Sequence, residues 1–417
     1  MDDFSVPPYF ICPISLDMMK DPVTVPTGIT YDRESIEKWL FSGKNTTCPV
    51  TKQVISYCEL TPNHTLRRLI QTWCTINASN GVERIPTPKT TISKAQILQL
   101  FKESKSREKR VTCVRKLRSI ASENDSNKFA MKAAGAVEFL VSIFVEEFES
   151  SPSGDEAGED LCFESMIRPL GEEALSLLYM LQPSETIMRN IATGQYGEFI
   201  GNLGKIMRSG SYDARGNAVM MLKSLLEVSE PGKIFSLQQF VFVEVVDVIK
   251  DQISKQASKA AIQLLISLCP WGRNRIKTVE ANAVGVLIDL LLDTTERRIA
   301  ELALTLLDIL CQCAEGRAEF LSHAAGIAVV SKKILRVSEV GSERAIRILS
   351  SISKFSATPA ILHEMLQVGV VAKLCLILQV SCGSKMKERA KETLRLHAKA
   401  WKHSPCIPVN LAFSYPS

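Results

Sequence analysis

The sequence predicts a mainly α-helical protein in which a small α+β module precedes an α-solenoid. Proline-punctuated, β-branched segments stop near residue 80, and from Ser93 to Lys402 helical periodicity continues without a convincing alternating strand pattern. In addition, a short phrase that precedes an apolar helix returns about every 43 residues, the period of a helical repeat. We therefore expect a module at 5–80, a linker at 81–92, a solenoid at 93–402 and an irregular tail at 403–417.

The composition is typical of a folded soluble protein. Of 417 residues, 46% are hydrophobic and 23% charged, and the net charge of +5 is too small to favour nucleic acid as a partner. No apolar run approaches the roughly 18 residues of a membrane span, and the start at Met1 is acidic where a secretory signal would be basic. Because the twelve cysteines are scattered, we expect a reducing compartment: the cytoplasm, with the nucleus as a second location.

The N-terminal module begins with a predicted hairpin. Val23 and Tyr31 lie in β-branched or aromatic arms on either side of a Pro-Thr-Gly turn. Asp32 is expected to cap the next helix, and Asn63 to cap a second one. The apolar faces expected on these two helices are Ile36, Trp39 and Leu40 on the first, and Leu66, Leu69, Ile70 and Trp73 on the second.

Zinc is excluded as the element that organises this module. Two tetrahedral sites need about eight Cys or His ligands in close pairs. The module offers only Cys12, Cys48, Cys58, Cys74 and His64, with no Cys-x-x-Cys pair, so a single site from this scattered set is the only metal alternative. We therefore expect no metal and no cofactor, and a stabilising hydrogen-bonded network in their place. Its expected members are Asp17, Asp21, Thr24, Tyr31, Asp32, Arg33, Thr51 and Asn63.

The solenoid is predicted from recurring phrases at 135–137, 282–284, 325–327 and 369–371, with weaker candidates near Tyr196 and Val241. Each strong phrase precedes an apolar helix, a polar turn and a longer helix rich in Ala and Leu. Since one unit cannot bury its apolar faces alone, about six units are expected to stack. The expected long helices are 214–228, 255–269, 297–313, 342–353 and 385–398.

One acidic segment interrupts this pattern, and one basic segment lies near its start. Residues 146–164 hold eight acidic residues and no Lys or Arg, and are interpreted as an inserted acidic loop rather than a docking site. Residues 102–118 hold eight basic residues and are interpreted as a first helix with a solvated face.

Six ordered motifs of the module resemble the U-box, a metal-free relative of the RING finger. They read FICPISLD at 10–17, DPV at 21–23, GITYDR at 28–33, IEKWL at 36–40, TCPVT at 47–51 and LTPNHTL at 60–66. In the solenoid, EGRAEF at 315–320 and AAGI at 324–327 are similar to armadillo repeats. The chain thus resembles the plant U-box E3 ubiquitin ligases that carry armadillo repeats.

This resemblance implies a ligase that forms no covalent intermediate with ubiquitin. It docks a ubiquitin-charged E2 enzyme and holds the thioester near a substrate lysine, so that its catalysis is positioning. The implied E2-binding positions are Ile14, Leu16, Trp39, Pro49 and Val50, with Lys52 placed to reach a ubiquitin carbonyl. Membership of the module's core is the alternative for each apolar position; Val23 and Ile36 are interpreted as core.

No residue is expected to act as a covalent nucleophile or to bind metal. Cys12 and Cys48 are interpreted as packing residues, and Cys311 and Cys313 point apart on the predicted helix 297–313. The histidines at 323, 363, 397 and 403 are isolated.

The resemblance implies a protein substrate in a groove lined by the long helices. The scarcity of tryptophan, with only Trp271 and Trp401 in the body, disfavours an importin-like Trp and Asn ladder. A non-catalytic armadillo scaffold is the alternative function, and a homodimer is left open.

Overall fold

A computed structural model describes residues 6–42, 45–55, 60–78, 82–83, 92–149, 161–194, 196–402, 404–405, 407 and 409. The chain divides into two compact units, Met1–Val137 and Glu138–Ser417. Most of the predicted linker and tail, Cys58, His403 and the middle of the acidic insertion lie outside the described residues.

The first unit opens with a three-stranded antiparallel sheet in the order β2-β1-β3. The strands are β1 Pro22–Thr24, β2 Thr30–Asp32 and β3 Thr61–Pro62, with Val23 opposite Tyr31. Gly28 holds φ at +82° in the turn, a conformation that glycine adopts without steric cost. The predicted hairpin is confirmed.

Two helices pack on this sheet. The helix α1 Arg33–Glu37 continues as a π-helical turn, Lys38–Ser42, and α2 spans His64–Ile76. Asn63 caps α2 as predicted, because its Oδ1 accepts a bond from the Leu66 amide at 3.0 Å. The cap expected from Asp32 is wrong: its Oδ1 accepts from the amides of Lys20 at 2.7 Å and Asp21 at 2.9 Å.

The module's core lies between the sheet and these helices. Val23, Ile36, Leu40 and Ile70 are fully buried, as the predicted faces require. Leu69 is 53% exposed and so falls outside the core. Its neighbour Ile70 takes the inward position because successive residues of a helix point about 100° apart.

The first unit ends with helices α3 Lys94–Glu103, α4 Arg107–Glu123 and α5 Asp125–Ala133. The basic segment 102–118 is therefore not one helix; Ser104 ends α3 and Ser106 precedes α4.

Helices then follow one another to the end of the described chain. They are α6 Ala136–Glu149, α7 Leu161–Leu181, α8 Glu185–Thr193, α9 Tyr196–Ser209, α10 Tyr212–Glu227, α11 Pro231–Phe235, α12 Gln239–Lys250, α13 Lys255–Leu268, α14 Asn274–Glu280, α15 Ala283–Asp293, α16 Arg297–Leu310, α17 Ala314–Ser322, α18 Gly326–Lys333, α19 Glu339–Phe355, α20 Pro359–Gln367, α21 Val370–Gln379, α22 Ser384–Leu396 and α23 Ala398–Trp401. The ends of the acidic insertion belong to α6 and α7.

The predicted phrases start helices as expected. The apolar helices α6, α15, α18 and α21 begin within them. Gly135, Asn282 and Gly369 hold left-handed backbone, with φ of 82°, 62° and 75°, directly before three of these helices. The phrase is therefore the sharp bend between the first and second helices of a repeat.

The long third helices of successive repeats pack side by side: α10 on α13, α13 on α16, α16 on α19 and α19 on α22. Side chains also bond backbone carbonyls one repeat earlier. Asn274 Nδ2 donates to the Ile234 carbonyl at 3.1 Å, Ser351 Oγ to that of Cys311 at 3.0 Å, and Trp401 Nε1 to that of Leu362 at 3.1 Å. These bonds join repeats that the apolar core already stacks.

Some expectations for single solenoid residues change. The helix predicted at 297–313 ends at Leu310, so Cys311 and Cys313 lie in the connection to α17 rather than on a helix. Trp271 is 36% exposed and packs edge-on against Phe235, whereas Trp401 is buried. His323 lies 3.1 Å from Asp289 Oδ1, and His397 bonds the Ser353 carbonyl at 2.8 Å.

Among the described helices, none alone is long and apolar enough for a membrane span, although the pair α20 and α21, bent by 62°, meets those criteria jointly.

Candidate functional site

Two loops of the N-terminal module share one backbone geometry. In the first, at 12–17, the Cys12 amide bonds the Asp17 carbonyl at 2.8 Å, and the Leu16 amide bonds the Cys12 carbonyl at 2.9 Å. In the second, at 48–53, the Cys48 amide bonds the Gln53 carbonyl at 2.7 Å, and the Lys52 amide bonds the Cys48 carbonyl at 2.9 Å. Each loop is a closed turn that begins with Cys-Pro.

Strand β2 fixes both loops through their cysteine sulfurs. The amide of Asp32 donates to Cys12 Sγ at 3.3 Å, and the neighbouring Tyr31 hydroxyl is hydrogen-bonded to Cys48 Sγ at 3.0 Å. Tyr31 also accepts from the Val50 amide at 3.3 Å. Because adjacent residues of one strand hold the two loops, their relative positions are set by the sheet.

Cys48 is the centre of the second loop's hydrogen bonds. Its sulfur also receives bonds from Thr27 Oγ1 at 3.4 Å and from the Thr51 amide at 3.5 Å. Burial alone would raise its pKa, but the bonds from Thr27, Thr51 and Tyr31 outweigh burial and lower the pKa of Cys48 to about 6. The interpretation of Cys48 as mere packing is incomplete; the Cys-Pro that starts both loops was the available signal.

Cys12 plays the matching part in the first loop. Burial favours a higher pKa, and the amides of Ser15, Asp32 and Ile14 outweigh it, so that the pKa of Cys12 is lowered. Both thiols are fully buried, which keeps them from acting as nucleophiles on a macromolecule.

A second network joins the sheet to the helices. Arg33 Nε lies 2.6 Å from Asp21 Oδ2, and Asn63 Nδ2 donates to Thr24 Oγ1 at 3.3 Å. Together with the Asp32 bonds above, these contacts involve five expected members of the network: Asp21, Thr24, Asp32, Arg33 and Asn63. Tyr31 and Thr51 instead belong to the bonds around Cys48. Asp17 differs: within the described residues only its backbone takes part, and its side chain is exposed.

The outer side of the two loops carries the predicted docking residues. Leu16 is 74% and Val50 53% exposed, while Ile14 and Pro49 are half-buried. Both Leu16 and Lys52 stand at the left-handed position of their loop. The loops therefore present side chains outward from a fixed backbone.

Trp39 connects this surface to the first helix. Its indole Nε1 donates to the Thr47 carbonyl at 2.8 Å, and the Lys52 ammonium lies 5.8 Å from the ring centroid. Trp39 and Ile14 both pack on the buried core of the module. Each side chain is thus partly in the core and partly on the surface, so a role in E2 docking and a role in the core are compatible at these positions.

Sequence reasoning missed one exposed apolar residue beside the second loop. Val54 is 77% exposed and pairs with Thr47 in an isolated antiparallel bridge. The exposed Val54 and the buried Ile55 form an alternating pattern of only two residues, which is too short to predict a strand from sequence.

Within the described part of the chain, no three His, Cys, Asp or Glu side chains cluster as a metal site would require. The arrangement presents an apolar surface and one cation, which suits docking rather than covalent or metal chemistry.

Comparison with known proteins agrees with this geometry. The family model of the U-box domain matches residues 6–79, and that of the plant U-box protein ARM repeat region matches residues 95–417. This chain belongs to the plant U-box proteins with armadillo repeats.

Relatives in this family include two ligases of Arabidopsis thaliana. E3 ubiquitin-protein ligase PUB22 is 54% identical over 432 residues, covering 100% of this chain and 99% of the relative. E3 ubiquitin-protein ligase PUB23 is 54% identical over 420 residues, covering 100% and 98%. The chain is a U-box E3 ubiquitin-protein ligase, and the scaffold alternative has no comparable support.

One solved structure is similar in fold. It comes from work on a phosphorylation switch in the interaction between cadherin and beta-catenin, with a TM-score of 0.55 and 12% identity over 80% of this chain and 58% of that one. The solenoid is thus an armadillo fold. A U-box binds an E2 enzyme, and armadillo repeats bind protein partners.

Proposed function

We propose that this ligase recruits a ubiquitin-charged E2 through a docking surface made of Ile14, Leu16, Trp39, Pro49, Val50 and Lys52. The supporting observation is the exposure of Leu16 and Val50 on two loops whose backbones are closed by hydrogen bonds and tied to strand β2. A surface that is already ordered loses little conformational entropy on binding.

The contact is small and short-lived in this proposal. Six residues on two loops and a helix correspond to an interface below about 1,200 Å², the range of transient signalling encounters. Rapid release lets a discharged E2 leave and a charged one replace it.

Lys52 is proposed to contact ubiquitin. The Trp39 ring lies beside its ammonium, which leaves a cation at the edge of the docking surface. Lysine offers a point charge where arginine would offer a planar fork that binds two acceptors. Lys52 therefore favours the reactive thioester geometry less strongly than arginine would.

The substrate is proposed to lie along the third helices α10, α13, α16, α19 and α22. Neighbouring third helices are joined by an ion-pair cluster: the buried Asp308 of α16 lies 2.9 Å from both Arg344 and Arg347 of α19, whose side chains are partly exposed. Proximity labelling with residues 93–402 would identify the proteins that bind there.

Autoubiquitination with E1, E2, ubiquitin and ATP tests the docking surface. Ile14→Ala and Pro49→Ala should each abolish it while thermal unfolding stays cooperative. Leu69→Ala is the matched control, because Leu69 is an exposed apolar residue of the same module outside the docking surface. Full activity in both Ile14→Ala and Pro49→Ala would refute the proposal.

We also propose a cytoplasmic location, with the nucleus as a second one, and a capacity for self-association. The first rests on nine free cysteines among the described residues, which suit a reducing compartment. Imaging of a fluorescent fusion tests the location, and sedimentation velocity distinguishes one copy from two.

A further inference from the structure

A cavity of about 350 Å³ lies in the second unit where α15, α16 and α18 meet. Its polar lining consists of Thr294, Thr295, Arg297, Lys332, Lys333 and Arg336, and the rest is aliphatic. Arg297 begins α16, and Lys332 and Lys333 end α18. Three cations on these two helices and Arg336, in the turn after α18, therefore converge on one concave space.

In the part of the chain that the structure describes, these four cations have no acidic partner. No carboxylate lines the cavity, and among the described residues none of the four lies within ion-pair distance of one. By contrast, Arg344 and Arg347 in the next helix share Asp308. A cluster of like charges is unfavourable unless something negative joins it.

The electrostatics of the lysines agree with this. Burial lowers the pKa of Lys333, and the positive charge of Lys332 lowers it further. Burial also lowers the pKa of Lys373, with smaller contributions from the charges of Arg336 and Lys332. Lys333 Nζ bonds only a neutral group, the Thr294 carbonyl, at 3.4 Å.

The first turn of α16 adds to the positive potential. Its N-cap residue Glu296 makes no side-chain bond to the first-turn amides, and its carboxylate instead pairs with Lys259. The first-turn residues Arg297 and Ala300 line the cavity. The positive end of a 14-residue helix dipole thus lies at the same place as the cations.

We infer that this cavity binds a phosphorylated serine or threonine side chain of a protein held on the solenoid. A phosphate monoester carries close to two negative charges and three acceptor oxygens, which two lysines, two arginines and two threonine hydroxyls can satisfy. The volume is within the range of small-ligand pockets, and the aliphatic walls suit the residues beside the phosphorylated one.

A protein is favoured over a membrane by shape and position. The cations surround a concavity rather than a broad outward face, and the cavity includes the start of α16, a third helix proposed above to bind substrate. The inference rests on that proposed function and narrows its substrate to proteins phosphorylated near the bound segment.

Fluorescence anisotropy of the full chain tests this. The probes are a labelled peptide pool with degenerate flanks around one phosphoserine, and the same pool with serine. The phosphoserine pool should bind at least about tenfold more tightly, with an affinity that falls as salt rises and with competition by inorganic phosphate. Equal affinities of the two pools would overturn the inference.

Variants assign the binding to the cavity. Lys332→Ala combined with Arg336→Ala should remove the tenfold preference, whereas Lys250→Ala, at the exposed end of α12 and outside the cavity, should keep it. A preference that survives the double variant would overturn the inference. Co-sedimentation with phosphatidylcholine vesicles that contain phosphatidylserine, if lost in the double variant while peptides show no preference, would replace the protein ligand by a membrane.

The double variant should still autoubiquitinate and unfold like the wild type. If the wild type shows no phosphopeptide preference but autoubiquitinates normally, this inference fails while the proposed E2 docking stands.

Discussion

Leu16 and Lys52 occupy equivalent positions in two loops, each with φ of 61°. This left-handed backbone is uncommon for residues other than glycine, and costs roughly 1–2 kcal/mol. Both loops keep it although glycine would remove the cost. The simplest physical reason is that each side chain is needed on the outer surface.

A pair of substitutions at Leu16 separates backbone from side chain. Leu16→Ala removes the apolar contact and keeps the strained backbone, while Leu16→Gly removes both. We expect both variants to reduce autoubiquitination strongly. Leu16→Gly should have a larger free energy of unfolding than Leu16→Ala, by about 1 kcal/mol, and therefore unfold at a higher temperature. Wild-type activity in both would show that the side chain is not needed.

Substitutions at Lys52 should affect transfer more than E2 binding. Lys52→Ala is expected to slow discharge of E2-bound ubiquitin to free lysine several-fold, and Lys52→Arg to match or exceed the wild type, since a planar fork can bind two acceptors. Parallel measurement of E2 affinity is the control. A change in affinity that accounts for the whole change in discharge would mean that Lys52 contacts E2 rather than ubiquitin.

Tyr31→Phe tests the link between the sheet and the second loop. The substitution removes the hydroxyl that is bonded to Cys48 and to the Val50 amide. We expect a loss of about 1–2 kcal/mol of unfolding free energy and faster hydrogen exchange at 45–55. Unchanged exchange there would mean that the loop is held without Tyr31.

The module's stability should depend on pH through Cys48. Because hydrogen bonds lower its pKa to about 6 in the folded state, against an ordinary value of 9.0 for a thiol, the folded state binds fewer protons between these values. The contribution of Cys48 to the free energy of unfolding should therefore increase as pH rises through this window. The same contribution should be lost as pH falls through about 6.

Urea unfolding of the full chain at several pH values, followed by hydrogen exchange within the module, checks this prediction. Cys48→Ala should flatten the dependence. Cys74→Ala is the matched control, because burial raises the pKa of Cys74 and so gives it no such contribution. Equal slopes in the wild type and Cys48→Ala would contradict the assignment.

Chelation should leave the ligase unaffected. The described module is held by hydrogen bonds such as Arg33–Asp21 and contains no cluster of metal-binding side chains. After treatment with EDTA and removal of the chelator by dialysis, we expect the same melting curve and, once Mg²⁺ is restored for ATP, the same rate of autoubiquitination; a loss of either would reveal a structural metal.

The repeats could be predicted from sequence because the bends between helices and the packing of helices each require particular residue types at nearby positions. Asn282 and Gly369 mark the bends where backbone must turn left-handed, and the Ala and Leu spacing of α13 and α16 marks helices buried on several sides. The docking residues were located only through resemblance to a family, since nothing local distinguishes exposed Leu16 from buried Leu40.

The remaining features depend on contacts distant in sequence. Asp32 has the residue type and position of a helix cap, yet its carboxylate binds amides eleven and twelve residues earlier. Likewise, Arg297 begins α16 while the cations at 332–336 lie at and just beyond the end of α18, and each segment alone looks like an ordinary solvated turn. Only the stacking of repeats brings them to one cavity.

Hydrogen exchange of the full chain with and without a stably charged E2 shows where E2 docks. We expect slower exchange at 12–17, at 47–54 and around Trp39, with no such change when Pro49→Ala is used. Protection confined to other segments, or equal protection in wild type and Pro49→Ala, would contradict the proposed docking surface.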